Sequence, residues 1–155
     1  MKKGKVMDQF ARTRQLLGTK SMEKIKNATV AVFGLGAVGS YATEAIARTG
    51  VGNLHLIDFD TVDASNINRQ LYALNSTIGK EKAVLAYERV KDINLECNVD
   101  IHKTFINAQS LEDLLFEYTR NFCQYPLLVI YQINLDPFQE YKQLNEFDFV
   151  LFQIL

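Results

Sequence analysis

The chain has 155 residues, 48% of them hydrophobic, and a formal net charge of −1 at pH 7. This predicts one globular domain with a real hydrophobic core, and it excludes both a disordered chain and a general electrostatic attraction to nucleic acid. The two cysteines, Cys97 and Cys123, form no C-x-x-C pair, so we expect reduced thiols and no zinc knuckle. No signal peptide is visible and the apolar runs are too short for a bilayer, so we expect a cytoplasmic protein without a membrane partner.

Two short helices are predicted at the start of the chain. The first covers Asp8 to Leu17, with Asp8 as its N-cap and Gly18 as its stop. The second runs from about Ser21 to Lys26 and leads into a strand.

A strand, a glycine turn and a helix come next. Thr29 to Phe33 is a short apolar, β-branched run typical of a strand buried on both faces. Gly34, Gly36 and Gly39 then form G-x-G-x-x-G. In this pattern the glycines permit a sharp turn, a close backbone approach to phosphate and tight packing of the next helix. That helix is predicted from Ala37 to Thr49.

A carboxylate follows the second strand of this unit. Gly50 is a suitable helix stop, and Asn53 to Ile57 is the second predicted strand. Asp58 comes directly after it, at about the interval from Gly39 that a ribose-binding carboxylate needs. The strand–turn–helix–strand context therefore predicts a nucleotide site.

The rest of the first 120 residues continues the alternation of helices and strands. Ser65 and Asn66 could cap a short helical turn that places Arg69 beside the strand ends. Further predicted elements are a helix over 80–94, a strand over 99–105 and a helix over 110–118.

The composition changes near residue 120. Of seventeen lysines and arginines only Lys142 lies beyond Arg120, whereas eight of seventeen aromatic residues lie beyond Asn121. The predicted elements there are a strand over 125–133, a helix over 138–145 and a strand over 147–154. We therefore divide the chain into a nucleotide-binding domain, residues 1–120, and an atypical tail, residues 121–155, that contributes to the same sheet.

Several polar side chains are predicted to meet where the parallel strands end, which is where a doubly wound sheet forms its ligand crevice. Asp58 would accept hydrogen bonds from ribose hydroxyls, and Arg69 and Lys82 would neutralise phosphate oxygens. This set indicates an ATP site, because a dinucleotide dehydrogenase has no need for the two cations.

Each of these residues has a simpler interpretation when taken alone. Asp58 could be a loop carboxylate, Arg69 a surface cation and Lys82 a solvated helix residue. Asn66 could merely cap a helix, and Gln70 could be a surface amide. We interpret His55 and His102 as structural, since neither has metal-ligand spacing.

Residues 8 to about 107 resemble the adenylating family that includes MoeB, ThiF, HesA and the ubiquitin-activating enzymes. The matching segments are VAVFGLGAVGS, ARTGVGNLHLIDFDTVDASNINRQ and the run from Gly79 to Lys82. Within that family the chain is most similar to the tRNA threonylcarbamoyladenosine dehydratases, on the segments QFARTRQLLG and EAIARTGVGNLHLIDFDTV. The resemblance implies an α/β fold, a Rossmann-like doubly wound parallel sheet that is incomplete at the C-terminus.

The resemblance also implies a cofactor site for ATP and Mg2+. The cofactor-binding residues it assigns are Gly34, Gly36, Ala37, Gly39, Asp58, Asp60, Asn66, Arg69, Gln70 and Lys82. It gives Arg69, Lys82 and Arg12 the catalytic roles. Arg12, or Arg14 as the second choice, would cross to the ATP of the partner in a homodimer.

The implied reaction is ATP-dependent adenylation of a carboxylate. Its expected substrate is the threonylcarbamoyl group of a tRNA adenosine, which is then cyclised with net loss of water. A sulfur-carrier-protein adenylyltransferase with sulfur-transfer partner proteins stays open, as does a less favoured NAD-dependent oxidoreductase.

The tail departs from the family pattern. Relatives carry a D-x-x-D or D-A-x-D motif after the third helix, and its first aspartate holds magnesium. Nothing after residue 108 matches it, Asp136 and Asp148 are not placed to replace it, and we assign no metal ligand. The tail is typical of a frameshift or a truncated gene, which favours a catalytically impaired nucleotide-binding protein of the same family.

Overall fold

Helices and strands alternate along the chain in the computed structural model, which describes residues 8–105 and the backbone of 127–131. The helices are α1 (Ala11–Leu17), α2 (Thr19–Asn27), α3 (Ala37–Thr49) and α4 (Lys82–Ile93), and Ala64–Asn66 forms a 3-10 turn. The strands are β1 (Thr29–Phe33), β2 (Asn53–Ile57), β3 (Asn98–His102) and β4 (Leu127–Tyr131).

The four strands form one parallel sheet in the order β3-β2-β1-β4. The chain moves outward from β1 through β2 to β3, and β4 then joins the other side of β1. Their carboxyl ends meet at one edge, where Phe33 of β1 pairs with both Ile57 and Tyr131. This is the predicted α/β, Rossmann-like parallel sheet, and its crevice is expected where the strand order reverses, beside β1.

The core lies between this sheet and the helices α3 and α4. Every residue of β1 is buried, as its apolar run predicts. Leu54 and Leu56 of β2 have no exposed surface and join a cluster with Ala47 of α3 and Val90 of α4. Burial of this apolar face is the main stabilising contribution to the fold.

An ion-pair cluster joins the outer faces of α3 and α4. The Glu44 carboxylate accepts bonds of 2.8 and 2.9 Å from Nε and Nη2 of Arg89, and Arg48 of its own helix donates to it as well. These bonds, chiefly those from Arg89, lower the pKa of Glu44. A bidentate guanidinium fixes geometry as well as charge, so α4 is held in register against α3.

The predicted bounds of β1, α3 and β2 are confirmed, and Gly50 ends α3 with φ 90°. The first helix is shorter than predicted and begins at Ala11. The Asp8 carboxylate accepts the Phe10 N–H at 3.1 Å, and the Asp8 carbonyl accepts the Ala11 N–H at 3.0 Å. Asp8 therefore stabilises a turn that precedes the helix, not the helix N-terminus itself.

The helix predicted from Lys80 begins two residues later. Thr61 and Glu81 form an antiparallel bridge, and the Lys82 N–H donates to the Asp60 carbonyl at 3.0 Å. These long-range contacts keep Glu81 extended, so α4 starts at Lys82. A propensity pattern cannot show such a contact, because the bridge joins residues far apart in sequence.

The tail is described only through β4. The strand predicted over 125–133 is present as Leu127–Tyr131 and lies in the same sheet. The helices predicted over 110–118 and 138–145, the strand predicted over 147–154 and Cys123 lie outside the described residues. No helix in the described part of the chain has the length and apolarity needed to cross a membrane.

Candidate functional site

The glycine turn joins β1 to α3 at the carboxyl edge of the sheet. Gly34 has φ 85°, which favours glycine, and its N–H donates to the Ile57 carbonyl at 2.8 Å. Gly36 is the N-cap residue of α3, which begins at Ala37 without a side-chain cap. A helix start of this kind suits an anionic group, because first-turn N–H groups and the helix dipole favour negative charge there.

Gly39 is required by the close packing of α3 on the turn. A Cβ at this position would lie 1.7 Å from the Gly34 carbonyl oxygen and 2.8 Å from its carbon. Both are backbone atoms and cannot rotate away. The third glycine of the motif therefore has the packing role that its position predicts.

The Asp58 carboxylate ties the glycine turn to the end of β2. It is buried, with Oδ2 accepting the Leu35 N–H at 2.6 Å and Oδ1 accepting the Asp60 N–H at 2.8 Å. Each oxygen has a further lone pair, so the carboxylate can still accept from a ligand hydroxyl. The sequence predicts the ligand role but not these backbone bonds, which fix the carboxylate beside the turn.

Asp63 caps the short turn that follows, and not Ser65 as predicted. The Asp63 carboxylate accepts the Ser65 N–H at 2.7 Å, and the Asn66 side chain accepts the Asp63 N–H at 3.2 Å. The resulting capping box buries Asn66. The D-x-x-N spacing was visible in the sequence and was the signal that our prediction missed.

Arg69 lies on the exposed side of this turn. Its Nη1 donates to the Ser65 carbonyl and to Asn68 Oδ1, both at 2.9 Å. Other guanidinium donors stay available for a ligand. Gln70, by contrast, is buried, and its N–H donates to the Asn66 carbonyl at 3.0 Å.

Lys82 is a buried cation paired with Asp60. Its side chain is only 6% exposed, and Nζ lies 2.9 Å from Asp60 Oδ2. The interpretation of Lys82 as a solvated helix lysine is therefore wrong. A continuous hydrogen-bonded path runs from Leu35 in the glycine turn through Asp58 and Asp60 to Lys82.

The path brings together only part of the predicted site. Asp58, Asp60, Lys82 and the glycine turn are connected by it. The Asn66 side chain bonds within the capping turn, and the Arg69 guanidinium donates to Ser65 and Asn68 of the same turn. The structure thus links the predicted ribose carboxylate to one of the two predicted phosphate cations.

The two candidate arginines of α1 differ in their contacts. Arg14 pairs with the Asp8 carboxylate of its own segment. Arg12 is exposed and has no bonded partner within residues 8–105. Of the two, Arg12 is the one available for an external contact.

The remaining titratable candidates do not form a metal site in the described part of the chain. His55 is buried mid-strand, with Nδ1 3.7 Å from Asp100 and its ring centroid 5.8 Å from that of His102. Burial is the main cause that lowers the pKa of His55, and it raises the pKa of Cys97 to about 11. Within residues 8–105 no group of three acidic, histidine or cysteine side chains is placed to hold a metal.

A parallel sheet in this order, with a glycine turn before a helix and a carboxylate after the second strand, defines a Rossmann-like α/β fold. Comparison with known families gives the narrower assignment. Residues 10–121 match the model of the ThiF family, and the chain belongs to that family.

The curated relatives and solved structures that match the chain include proteins named tRNA threonylcarbamoyladenosine dehydratase. The chain is 47% identical over 113 residues to the tRNA threonylcarbamoyladenosine dehydratase of Bacillus subtilis, covering 73% of this chain and 44% of the relative. The crystal structure of the Escherichia coli tRNA N6-threonylcarbamoyladenosine dehydratase in complex with ATP superposes with a TM-score of 0.73 at 36% identity. That match covers 82% of this chain and 49% of the other.

A structure of the same Escherichia coli protein with AMP superposes with a TM-score of 0.72 at 38% identity, over 82% of this chain and 49% of that chain. The chain thus spans less than half the length of these relatives.

Proposed function

We propose that this chain binds ATP at the carboxyl ends of β1 and β2 and belongs to a carboxylate-adenylating protein. The observation that carries the proposal is the bonded path from the glycine turn through Asp58 and Asp60 to the buried Lys82. This path supports the proposal because it connects the proposed ribose acceptor to the proposed phosphate cation at one edge of the sheet. The crystallised relatives with ATP and AMP support this assignment.

The substrate we propose is the threonylcarbamoyl group on a tRNA adenosine. A carboxylate oxygen attacks the α-phosphorus of ATP, the bond to the β-phosphate oxygen breaks, and pyrophosphate leaves. The acyl-adenylate is then captured within the same group, which cyclises as AMP departs. Because no nucleophilic side chain is needed, the protein contributes position and charge: Asp58 on the ribose, with Arg69 and Lys82 on the phosphates.

Magnesium is the second cofactor that the family implies, and the described residues do not fit a protein site for it. Each Asp58 oxygen accepts one backbone N–H and has one further lone pair, which the proposed ribose contact uses, and Asp60 is paired with Lys82. The described residues therefore supply no magnesium ligand to the proposed site.

Arg69→Ala is expected to weaken ATP binding by about 1.5–3 kcal/mol, the range for a hydrogen bond to a charged group. Isothermal titration calorimetry with ATP measures the change. Arg48→Ala is the matched control, because Arg48 lies in the last turn of α3, at the opposite end from the glycine turn. Equal ATP affinities for the two variants would show that Arg69 does not contribute to ATP binding.

Arg12 is proposed to reach the ATP site of a second copy in a homodimer. The helix α1 buries none of its residues, and Arg12 has no bonded partner in the described part of the chain. We expect a dimer by light scattering and weaker ATP binding in Arg12→Ala, with Arg14→Ala as the matched arginine control. A monomer whose ATP affinity is insensitive to Arg12→Ala would contradict this role.

Two other functions are weighed against this one. A sulfur-carrier adenylyltransferase would use the same ATP site, and relatives from Drosophila are named adenylyltransferase and sulfurtransferase MOCS3; its partners would be sulfur-transfer proteins. A nucleotide-binding protein with little turnover is favoured by the sequence after β4, where Gln132 and Ile133 stand in place of the carboxylate that the family resemblance implies. The proposal includes a cytoplasmic location. It also includes the division of the chain into a nucleotide-binding domain up to residue 120 and a tail after it.

A further inference from the structure

We propose that Asp60 is a specificity-determining residue that holds Lys82 and so keeps phosphate groups lacking a ribose out of the site. This inference rests on the proposed ATP site and deepens it. Asp60 and Lys82 are joined twice, by the ion pair of 2.9 Å and by the bond of 3.0 Å from the Lys82 N–H to the Asp60 carbonyl. The cation is therefore tied to the loop that follows the ribose carboxylate.

The two partners differ in exposure. The Lys82 side chain is 6% exposed, whereas that of Asp60 is 47% exposed. A buried ammonium needs a counter-charge, since desolvation of an unpaired ion is costly. Asp60 supplies that charge from the solvent side, where an incoming phosphate would also approach.

A phosphate group consequently meets a neutral pair and not a free cation. To bind Lys82 it must share or break the bond to Asp60, and it is repelled by the Asp60 carboxylate. ATP gains the ribose contact at Asp58 as well, which offsets this cost. Pyrophosphate has no ribose, so the pair limits how well the leaving product of the proposed reaction stays bound.

The test uses pyrophosphate as the probe, with ATP and adenosine titrated beside it in the calorimeter. Asp60→Asn keeps the side-chain shape and removes the charge. We expect this variant to bind pyrophosphate at least about tenfold tighter, equivalent to about 1.4 kcal/mol. The gain for pyrophosphate should exceed any change in adenosine affinity, because adenosine carries no phosphate, whereas a merely structural role for Asp60 predicts weaker binding of both.

Glu81→Gln is the matched control. Glu81 precedes Lys82, its side chain is 46% exposed, and it pairs with Lys103 and not with Lys82. The variant removes one nearby negative charge without releasing the cation, so its pyrophosphate affinity should stay within about twofold of the parent, since screening weakens exposed charges. Equal or weaker pyrophosphate binding by Asp60→Asn than by Glu81→Gln overturns the inference.

The titrations with ATP and with pyrophosphate test the proposed ATP site and the role of Asp60 separately. If the parent binds no ATP, the proposed function fails, whereas tighter pyrophosphate binding by Asp60→Asn still supports the role of the pair. If Asp60→Asn does not fold, the rate at which acetic anhydride acetylates Lys82 in the parent protein tests the inference instead. Lys82 should then react more slowly than the exposed lysines, and pyrophosphate should leave its rate unchanged; protection of Lys82 by pyrophosphate contradicts the inference.

Discussion

Gly39→Ala is expected to unfold the domain or to lower its free energy of unfolding by more than about 4 kcal/mol, an exceptional cost for one residue. The added Cβ would lie 1.7 Å from the Gly34 carbonyl oxygen. Since that oxygen belongs to the turn itself, α3 would have to leave β1 to relieve the overlap. The apolar contacts of α3 with the sheet would be lost with it.

Gly79→Ala is the control for this prediction. Its added Cβ would have no atom within 4 Å, but φ is +81°. The expected cost is about 1–2 kcal/mol, that of a left-handed conformation for an L-residue. Urea denaturation followed by circular dichroism compares the variants, and a Gly39→Ala protein as stable as Gly79→Ala would show that α3 does not pack on the turn as described.

If the proposed function holds, adenylation by this chain is expected to be slower by orders of magnitude than that by a full-length relative, while ATP affinity falls much less. The register pairs Phe33 with Tyr131, so β4 ends beside the glycine turn. In the sequence Gln132 and Ile133 follow, where the family resemblance implies a carboxylate that holds magnesium. The nearest downstream carboxylate is Asp136.

Loss of a metal contact to the phosphates removes several kcal/mol of transition-state stabilisation, and each 1.36 kcal/mol costs about tenfold in rate. Binding depends more on Asp58, Lys82 and the glycine turn, which the structure places together. The assay is pyrophosphate release with threonylcarbamoylated tRNA, run beside ATP binding on the same sample. A rate equal to that of the relative would mean that Asp136, Asp148 or another group takes the metal.

The sequence predicts the central unit well because its signals are local. Glycines at fixed positions and a β-branched apolar run set the bounds of β1, α3 and β2. The carboxyl-edge location of Asp58 then follows from the parallel order of the strands.

The start of α4 and the burial of Lys82 depend on contacts between distant residues, which local sequence patterns do not show. Lys82 is 22 residues from Asp60, and its burial follows from that pair and from the bridge of Thr61 with Glu81. A lysine at the start of a helix is more often exposed, so nothing local indicated an ion pair. The same contacts explain why α4 begins at Lys82 and not at Lys80.

The cap at Asp63 is a different case. Asp63 and Asn66 stand at capping-box spacing, and the reciprocal bonds are local. Our prediction placed the cap at Ser65 and Asn66, although all of these residue types favour N-caps. Which of Asp63, Ser65 and Asn66 becomes the N-cap depends on where the chain leaves the sheet.

The most direct test of the central claim is a calorimetric titration of this chain with ATP, AMP and NAD under one buffer condition. The exposed Arg69 predicts that ATP binds most tightly, since its added phosphates meet the free donors of this guanidinium. At Lys82 they must share the ammonium with Asp60, a cost that the ribose contact at Asp58 offsets. NAD should bind more weakly than ATP, because its pyrophosphate is capped by a second nucleoside. Tighter binding of NAD than of ATP would contradict the assignment of this edge as an adenylating ATP site.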